Sequence, residues 1–228
     1  LIIAAKADRG LGYTPHPRPL SAFAAMISRM DQRIGDILDH LLESGLDDNT
    51  IVMFSSDNGP AGGGGLDSRF FNSTAGLRGS KGQVYEGGIR VPFVARWPGK
   101  IPSRTVTNHI SAQYDLMTTL AELSGEKVTD TDGISFLPTL LGKNTEQKQH
   151  EYLYWEFSAG NQYAVRIGNL KGVKSQSRWN PDNKWEIYNL MEDEQENKNI
   201  ADKHPELIEK FEEIIGKRTP SHIPEWNF

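Results

Sequence analysis

Cysteine is absent from this chain of 228 residues. Disulfide bonds and thiolate metal sites within the chain are therefore excluded, although this absence does not fix the cellular compartment. Basic charge is not in excess either, because 25 Lys and Arg residues stand against 30 Asp and Glu, a net charge of −5. Surfaces that bind nucleic acid are usually basic, so the composition gives no reason to expect a nucleic-acid partner.

Long hydrophobic runs are also missing. No apolar stretch approaches the roughly 20 residues that a membrane-spanning helix needs. The opening residues 1–5 are too short for a signal peptide and fit a short buried strand better. Because the first residue is Leu1 rather than Met, we expect the sequence to begin inside a longer protein, with any targeting segment upstream.

The first part of the chain alternates between helical and strand-like patterns. Ser21 is a candidate N-cap and Gly45 a candidate stop for a helix with one apolar stripe, formed by Phe23, Ile27, Met30, Ile34, Ile37 and Leu41. Residues 51–54 predict a strand buried on both faces, as in a parallel sheet. Residues 92–97 predict another strand and residues 113–124 another helix, an order typical of half of a doubly wound α/β domain.

The pattern changes after a polar stretch at residues 142–150. Short aromatic and alternating runs then predict an antiparallel meander, with strands at residues 152–157, 163–167, 170–174 and 185–190. Pro205 suits the first position of a final helix that ends at Gly216. We therefore expect a small α+β subdomain in the C-terminal part of the chain.

A carboxylate and an amide follow the first predicted strand directly, at Asp57 and Asn58. In open α/β sheets, ligands bind at the carboxyl ends of strands. Carboxylate and amide oxygens are also the ligands that Ca²⁺ and Mg²⁺ prefer. Since Asp-Asn-Gly is also common in simple turns, the motif alone leaves a metal site and an ordinary turn both open.

A lysine between two glycines, Lys81, is the second candidate. Gly79 and Gly82 have no Cβ, so the backbone there can approach a ligand closely. The ammonium group is a strong point charge for an oxyanion. Glu86 and Arg90 follow in the same segment, and a surface loop with solvated charges is the alternative interpretation.

Several blocks, taken in order, resemble the sulfatase family of the alkaline-phosphatase-like superfamily. They are FAAMISRMDQRIGDILDHLLESGLDDNTIVMFSSDNG, GLRGSKGQVYEGGIRVPFVARWPGKI, DGISFLPTLLGK and the closing residues 225–228. The resemblance implies a partial alkaline-phosphatase-like doubly wound α/β fold over residues 1–145, the C-terminal part of a catalytic domain. Residues 146–228 would then form a small C-terminal α+β subdomain, an antiparallel sheet with one helix.

The resemblance also implies an activity. Sulfatases hydrolyse sulfate esters, here possibly of sulfated carbohydrates, with a formylglycine nucleophile beside one Ca²⁺ or Mg²⁺. By resemblance, Asp57 and Asn58 would be metal ligands and Lys81 would contact the sulfate. A cation and a fixed ammonium are suited to stabilising the charge that develops on the ester oxygens. A periplasmic or secreted location is a further expectation.

The family's nucleophile motif, Cys or Ser followed by x-Pro-Ser-Arg, has no acceptable match. The Pro-Ser-Arg at residues 102–104 has Lys100 in the nucleophile position and lies in the wrong part of the fold. We therefore expect the nucleophile upstream and this chain alone to be inactive. His16, before Pro17, is interpreted as a loop histidine. Two alternatives stay open: a phosphodiesterase or phosphonate monoester hydrolase of the same superfamily, and a non-catalytic product that binds metal or glycan.

Overall fold

A computed structural model describes residues 16–62, 66–159, 161–176, 180 and 182–223. The predicted strand at residues 1–5 lies outside the described residues. The described residues form two compact units. The first comprises those within 1–32, 56–92 and 154–228, and the second comprises those within 33–55 and 93–153. The predicted domain boundary at residue 145 stays a prediction. No helix in the described ranges has the length and apolar character to cross a membrane.

The longest helix, α1, spans Pro19–Glu43. It starts with a proline, whose fixed φ and missing N–H suit the first helical turn, so Ser21 lies inside the helix and the predicted N-cap is wrong. Gly45 follows the helix with φ +66°, as expected for a helix stop. Among the described residues, only part of the predicted apolar stripe is packed against other side chains. The ring of Phe23 packs against Phe71, whereas no residue of α1 is buried.

In the second unit, β1 (Val52–Ser55) pairs with β2 (Phe93–Arg96) in an antiparallel two-stranded sheet. The expectation of a strand buried on both faces, as in a parallel sheet, is wrong for this arrangement. A central strand needs covering layers on both faces, whereas β1 contains no buried residue and Phe54 is 39% exposed. The guanidinium of Arg96 donates hydrogen bonds to both carboxylate oxygens of Asp47, which ties β2 to the turn before β1.

Helix α3 (Asp115–Ser124) ends at Gly125, which has φ +79°, as the sequence predicts. Its first residue, Asp115, is fully buried. Asp115 accepts hydrogen bonds from the backbone N–H groups of Ala112 and Ile134 at 2.7 and 2.8 Å, and it lies 2.9 Å from Nε2 of His150. One carboxylate therefore holds three separate parts of the second unit, which also contains the short helix α4 (Leu137–Leu140).

Apart from Leu153, the first unit contains a four-stranded sheet in the order β3-β4-β5-β6. Its strands are Leu153–Phe157, Gln162–Ile167, Leu170–Lys174 and Trp185–Asn189. The pairs β4–β5 and β5–β6 are antiparallel. The predicted meander is confirmed because the alternating runs of the sequence coincide with these strands. Successive side chains point to opposite faces, so each face carries its own half of the core.

One face of this sheet packs against helix α5 (Pro205–Gly216), whose predicted bounds are confirmed. The buried residues on that side are Val165, Trp185, Ile187, Ala201, Phe211 and Ile214. On the other face, Val84 and Tyr85 pack against Ala164, Val173, Tyr188 and Leu190. We refer to residues 78–90, which contain Lys81 and the short helix α2 (Glu86–Ile89), as the lysine segment. The sheet is therefore a platform with α5 on one side and the lysine segment on the other.

Gly172 leaves room for the ring of Phe211 beneath the sheet. A Cβ at Gly172 would collide with Cε2 of that ring, and Phe211 is fully buried. We expect Gly172→Ala to lower the free energy of unfolding by about 1–3 kcal/mol, because the ring would have to shift in a packed core. Urea unfolding measures this.

Gly216→Ala is the matched control. Nothing lies within 4 Å of a Cβ at Gly216, and alanine is the better helix former. Gly216→Ala should leave stability unchanged or raise it slightly. Equal stability of the two variants would contradict the packing assigned to Gly172.

Candidate active site

Asp57 and Asn58 lie in the turn that follows β1. Asp57 is exposed and Asn58 is half-buried. The hydroxyl of Ser56 donates to the carbonyl oxygen of Asn58 at 2.8 Å, which stabilises the turn. Within the described ranges, the side chains of Asp57 and Asn58 form no hydrogen bond or ion pair, so their oxygens remain available to a ligand.

Two backbone hydrogen bonds join this turn to the lysine segment. The N–H of Gly59 donates to the carbonyl oxygen of Gly88 at 2.8 Å, and the N–H of Lys81 donates to that of Pro60 at 3.0 Å. A Cβ at Gly59 would collide with the carbonyl oxygen of Gly87, so only glycine allows the two backbones to meet. The structure thus brings together the segments that carry the predicted metal ligands and the predicted sulfate contact.

Lys81 is an exposed residue in a turn of the lysine segment. Its neighbours Gly79 and Gly82 have φ values of +87° and +82°, in the left-handed region that glycine favours. The N–H of Gln83 closes the turn on the carbonyl of Ser80 at 3.0 Å. No ion pair of the Lys81 ammonium occurs among described residues, and a positive charge on a constrained turn is suited to binding an anion.

A buried ion cluster anchors the lysine segment to the sheet. Glu86, Lys171 and Glu196 are each at most 2% exposed. The ammonium of Lys171, on β5, lies 2.8 Å from a carboxylate oxygen of Glu86 and 2.9 Å from one of Glu196. The other oxygen of Glu196 accepts the backbone N–H of Glu86 at 2.7 Å. The cluster therefore connects the lysine segment, β5 and the loop after β6.

The cluster places two carboxylates around one ammonium in a poorly solvated environment. Burial raises the pKa of the Glu196 carboxyl, and the ammonium of Lys171 opposes this change. Arg166 lies 3.8 Å from the second oxygen of Glu86 and adds positive charge. Burial lowers the pKa of the Arg166 guanidinium, while the Glu86 carboxylate raises it. Charges in such a cluster depend on one another, since removing one leaves another buried without compensation.

Arg78 provides a second anchor at the start of the lysine segment. Its guanidinium lies over the ring of Tyr85, 3.9 Å from the centroid, and donates to the hydroxyl of Tyr188 at 2.7 Å. Both tyrosine hydroxyls donate to Glu186, at 2.8 and 2.6 Å. Burial, with the Glu186 carboxylate adding to it, raises the pKa of Tyr85 and Tyr188, so both remain neutral hydrogen-bond donors.

The sequence indicated Lys81 as a candidate but did not indicate the residues that support its segment. In the sequence, Glu86 is only the residue before two glycines, and Lys171 is only part of an alternating strand. The sequence contains one signal for the buried cluster. Lys171 is two residues before Val173 on the same strand, so its side chain lies on the same face as that buried valine. A lysine at an inward position of a strand requires a buried carboxylate partner.

The described residues fit only part of a metal site. No group of three or more His, Cys, Asp and Glu side chains is placed to hold a metal within the described ranges. Asp57 and Asn58 offer two oxygen ligands, whereas Ca²⁺ and Mg²⁺ take about six or more. Their chemistry suits either ion, and their metal-ligand role stays a prediction, as does the sulfate contact of Lys81. His16 is exposed and its Nδ1 accepts the N–H of Arg18, as in a local loop turn.

Comparison with known families gives two matches that together cover most of the chain. The Sulfatase family model matches residues 4–126. The family model described as N-sulphoglucosamine sulphohydrolase, C-terminal, matches residues 80–218. Both matches include most of the lysine segment.

Individual proteins agree with these matches. The chain is 30% identical over 226 residues to an N-acetylgalactosamine-6-O-sulfatase of Bacteroides thetaiotaomicron, covering 88% of this chain and 43% of the relative. It is 32% identical to human arylsulfatase A over 65% of this chain and 29% of that enzyme. A solved structure from work on glycosaminoglycan metabolism by B. thetaiotaomicron has a TM-score of 0.74 at 30% identity, covering 92% of this chain and 48% of that one. The chain thus spans less than half the length of these relatives, and the structural match confirms the predicted fold class.

The buried ion cluster gives a stability prediction. We expect Lys171→Met to lower the free energy of unfolding by about 3–5 kcal/mol, because Glu86 and Glu196 would lose their shared countercharge. Thermal and urea unfolding measure the change. Lys184→Met is the matched control: the side chain of Lys184 is 77% exposed beside Asp182, and its loss should cost less than about 1 kcal/mol. Similar losses in both variants would contradict the assigned importance of burial.

Proposed function

Because the chain belongs to the sulfatase family, we propose that the protein of which it forms a part hydrolyses sulfate esters of carbohydrates. The observation that carries the proposal is the pair of backbone hydrogen bonds that joins the turn of Asp57 and Asn58 to the segment of Lys81. A carbohydrate substrate is supported by the name of the relative that is 30% identical over 88% of the chain, an N-acetylgalactosamine-6-O-sulfatase.

In the proposed mechanism, Lys81 binds a non-bridging oxygen of the sulfate and offsets negative charge that grows as the ester bond breaks. Asp57 and Asn58 supply part of the coordination of one Ca²⁺ or Mg²⁺, which when bound would add Lewis-acid stabilisation at the sulfate. The buried cluster beneath the segment holds the Lys81 backbone in place. A rigid support of this kind keeps the ammonium at the position where charge develops.

The nucleophile, proposed to be a formylglycine, belongs to the remainder of the protein. Such a group would supply the nucleophile for covalent catalysis. We accordingly propose that the 228-residue chain alone does not turn over an aryl sulfate in the presence of Ca²⁺. Kinetic tests of the site need the full-length protein.

The first test concerns Lys81. We expect Lys81→Ala in the full-length protein to lower kcat/KM by about 10²–10³, by analogy with the loss of one oxyanion donor. Stability should change little because the side chain is exposed. Lys81→Arg should recover only part of the activity, since a planar guanidinium differs in shape from a compact ammonium.

Lys127→Ala is the control for loss of an exposed lysine, and it should retain full activity. Wild-type kcat/KM in Lys81→Ala would overturn the sulfate contact. Preference for a phosphodiester or phosphonate monoester over every sulfate ester offered would instead favour another enzyme of the superfamily.

The second test concerns the metal. Chelation with EDTA should abolish activity, and added Ca²⁺ or Mg²⁺ should restore it. Asp57→Ala should raise the cation concentration that gives half-maximal activity at least about tenfold, because a carboxylate ligand is lost. Asp31→Ala, an exposed carboxylate on α1, is the control. An unchanged cation requirement in Asp57→Ala would remove this residue from the proposed site.

A further inference from the structure

We propose that Phe157 determines specificity by forming an aromatic wall beside Lys81, against which the sugar ring of a sulfate ester packs. The inference rests on the proposed function, since it assumes that Lys81 holds the sulfate. It adds a subsite for the organic part of the substrate. Phe157 is the last residue of β3 and is 42% exposed.

Strand alternation places Phe157 on the same face of the sheet as the lysine segment. Trp155, two residues earlier on β3, packs against the buried cluster that contains Val84 and Tyr85. Tyr154, the residue directly before Trp155, lies on the opposite face and packs against the cluster on the α5 side. Because side chains two apart on a strand share a face, Phe157 lies on the side of Trp155.

The ring of Phe157 also lies near Gly82, the residue next to Lys81. A Cβ built on Gly82 would lie 3.8 Å from Cε1 of Phe157, an ordinary van der Waals distance. The exposed ring and the exposed ammonium therefore belong to adjacent positions on one surface.

Gln162 connects the lysine segment to the turn after β3. Its side chain is buried, and its amide nitrogen donates to the carbonyl oxygens of Gly82 at 2.9 Å and Ala159 at 2.7 Å. Its amide oxygen accepts the N–H of Val84 at 3.3 Å. One side chain thus connects the turn after Phe157 to both residues that flank position 83 in the lysine segment. The position of Phe157 relative to this segment is consequently set by the hydrogen bonds of one buried side chain.

An aromatic ring next to a cation matches the two parts of a carbohydrate sulfate. The sulfate is anionic and suits the ammonium of Lys81, whereas the C–H face of a pyranose is apolar and can pack on an aromatic face. Inorganic sulfate lacks an apolar face. Phe157 should therefore contribute to binding of the sugar ester and contribute nothing to binding of the free ion.

The experiment measures two constants on the full-length protein, with N-acetylgalactosamine 6-sulfate as substrate and inorganic sulfate as competitive inhibitor. For Phe157→Ala we expect KM to rise roughly ten- to a hundredfold, from the loss of the packed ring surface, with an unchanged inhibition constant for sulfate. Phe157→Tyr keeps the ring and should retain a near-normal KM. Phe157→Leu fills the space against Gly82 without a flat ring and serves if the alanine variant fails to fold.

Phe70→Ala is the matched control, because Phe70 is 66% exposed and packs edge-on against Phe71; it should leave both constants unchanged. An unchanged KM in Phe157→Ala and Phe157→Leu would overturn the inference. A parallel rise of KM and of the sulfate inhibition constant would overturn it too, since that result means a disturbed Lys81. If Lys81→Ala keeps wild-type kcat/KM, the sulfate contact of Lys81 in the proposed function fails; if only the Phe157 variants behave as wild type, the aromatic wall alone fails.

Discussion

The ammonium of Lys171, enclosed by the carboxylates of Glu86 and Glu196, is the interaction on which the first unit depends. The three residues of this buried ion cluster come from the lysine segment, from strand β5 and from the loop after β6. Buried charges are costly unless each is paired and hydrogen-bonded. A lysine segment that moved away from the sheet would leave these charges without partners, so the cluster favours a single position of the segment.

Arg78 and Gln162 also hold the lysine segment against the sheet. Arg78 lies on the ring of Tyr85 and donates to Tyr188, and Gln162 holds the backbone on the far side of Lys81. Lys81 itself is exposed and lies between these anchors in sequence. Functional side chains are often found on loops that a rigid scaffold positions, and here the scaffold is a small antiparallel sheet.

The sheet has different roles on its two faces. On one face, Phe211 and Ile214 of α5 are buried against Val165 and Ile187. On the other face, apolar residues share the surface with the buried ions and with the tyrosine pair that contacts Glu186. The apolar face supplies hydrophobic stabilisation, whereas the mixed face specifies which segment docks and in what register. The proposed catalytic and specificity residues both lie on the mixed side.

Local elements and contacts between distant segments differ in how far the sequence reveals them. The strand period of the meander and the glycines that end helices are each encoded within a few neighbouring residues. Local patterns also singled out the three candidate site residues, and family resemblance assigned their roles. The tertiary structure alone brings Lys171 to Glu86, 85 positions away, and Phe157 to Gly82. A charged residue in a strand pattern looks the same whether its partner is a buried carboxylate or water. Periodicity therefore describes each segment by itself, whereas contact between segments, including the antiparallel pairing of β1, depends on the packing of the whole unit.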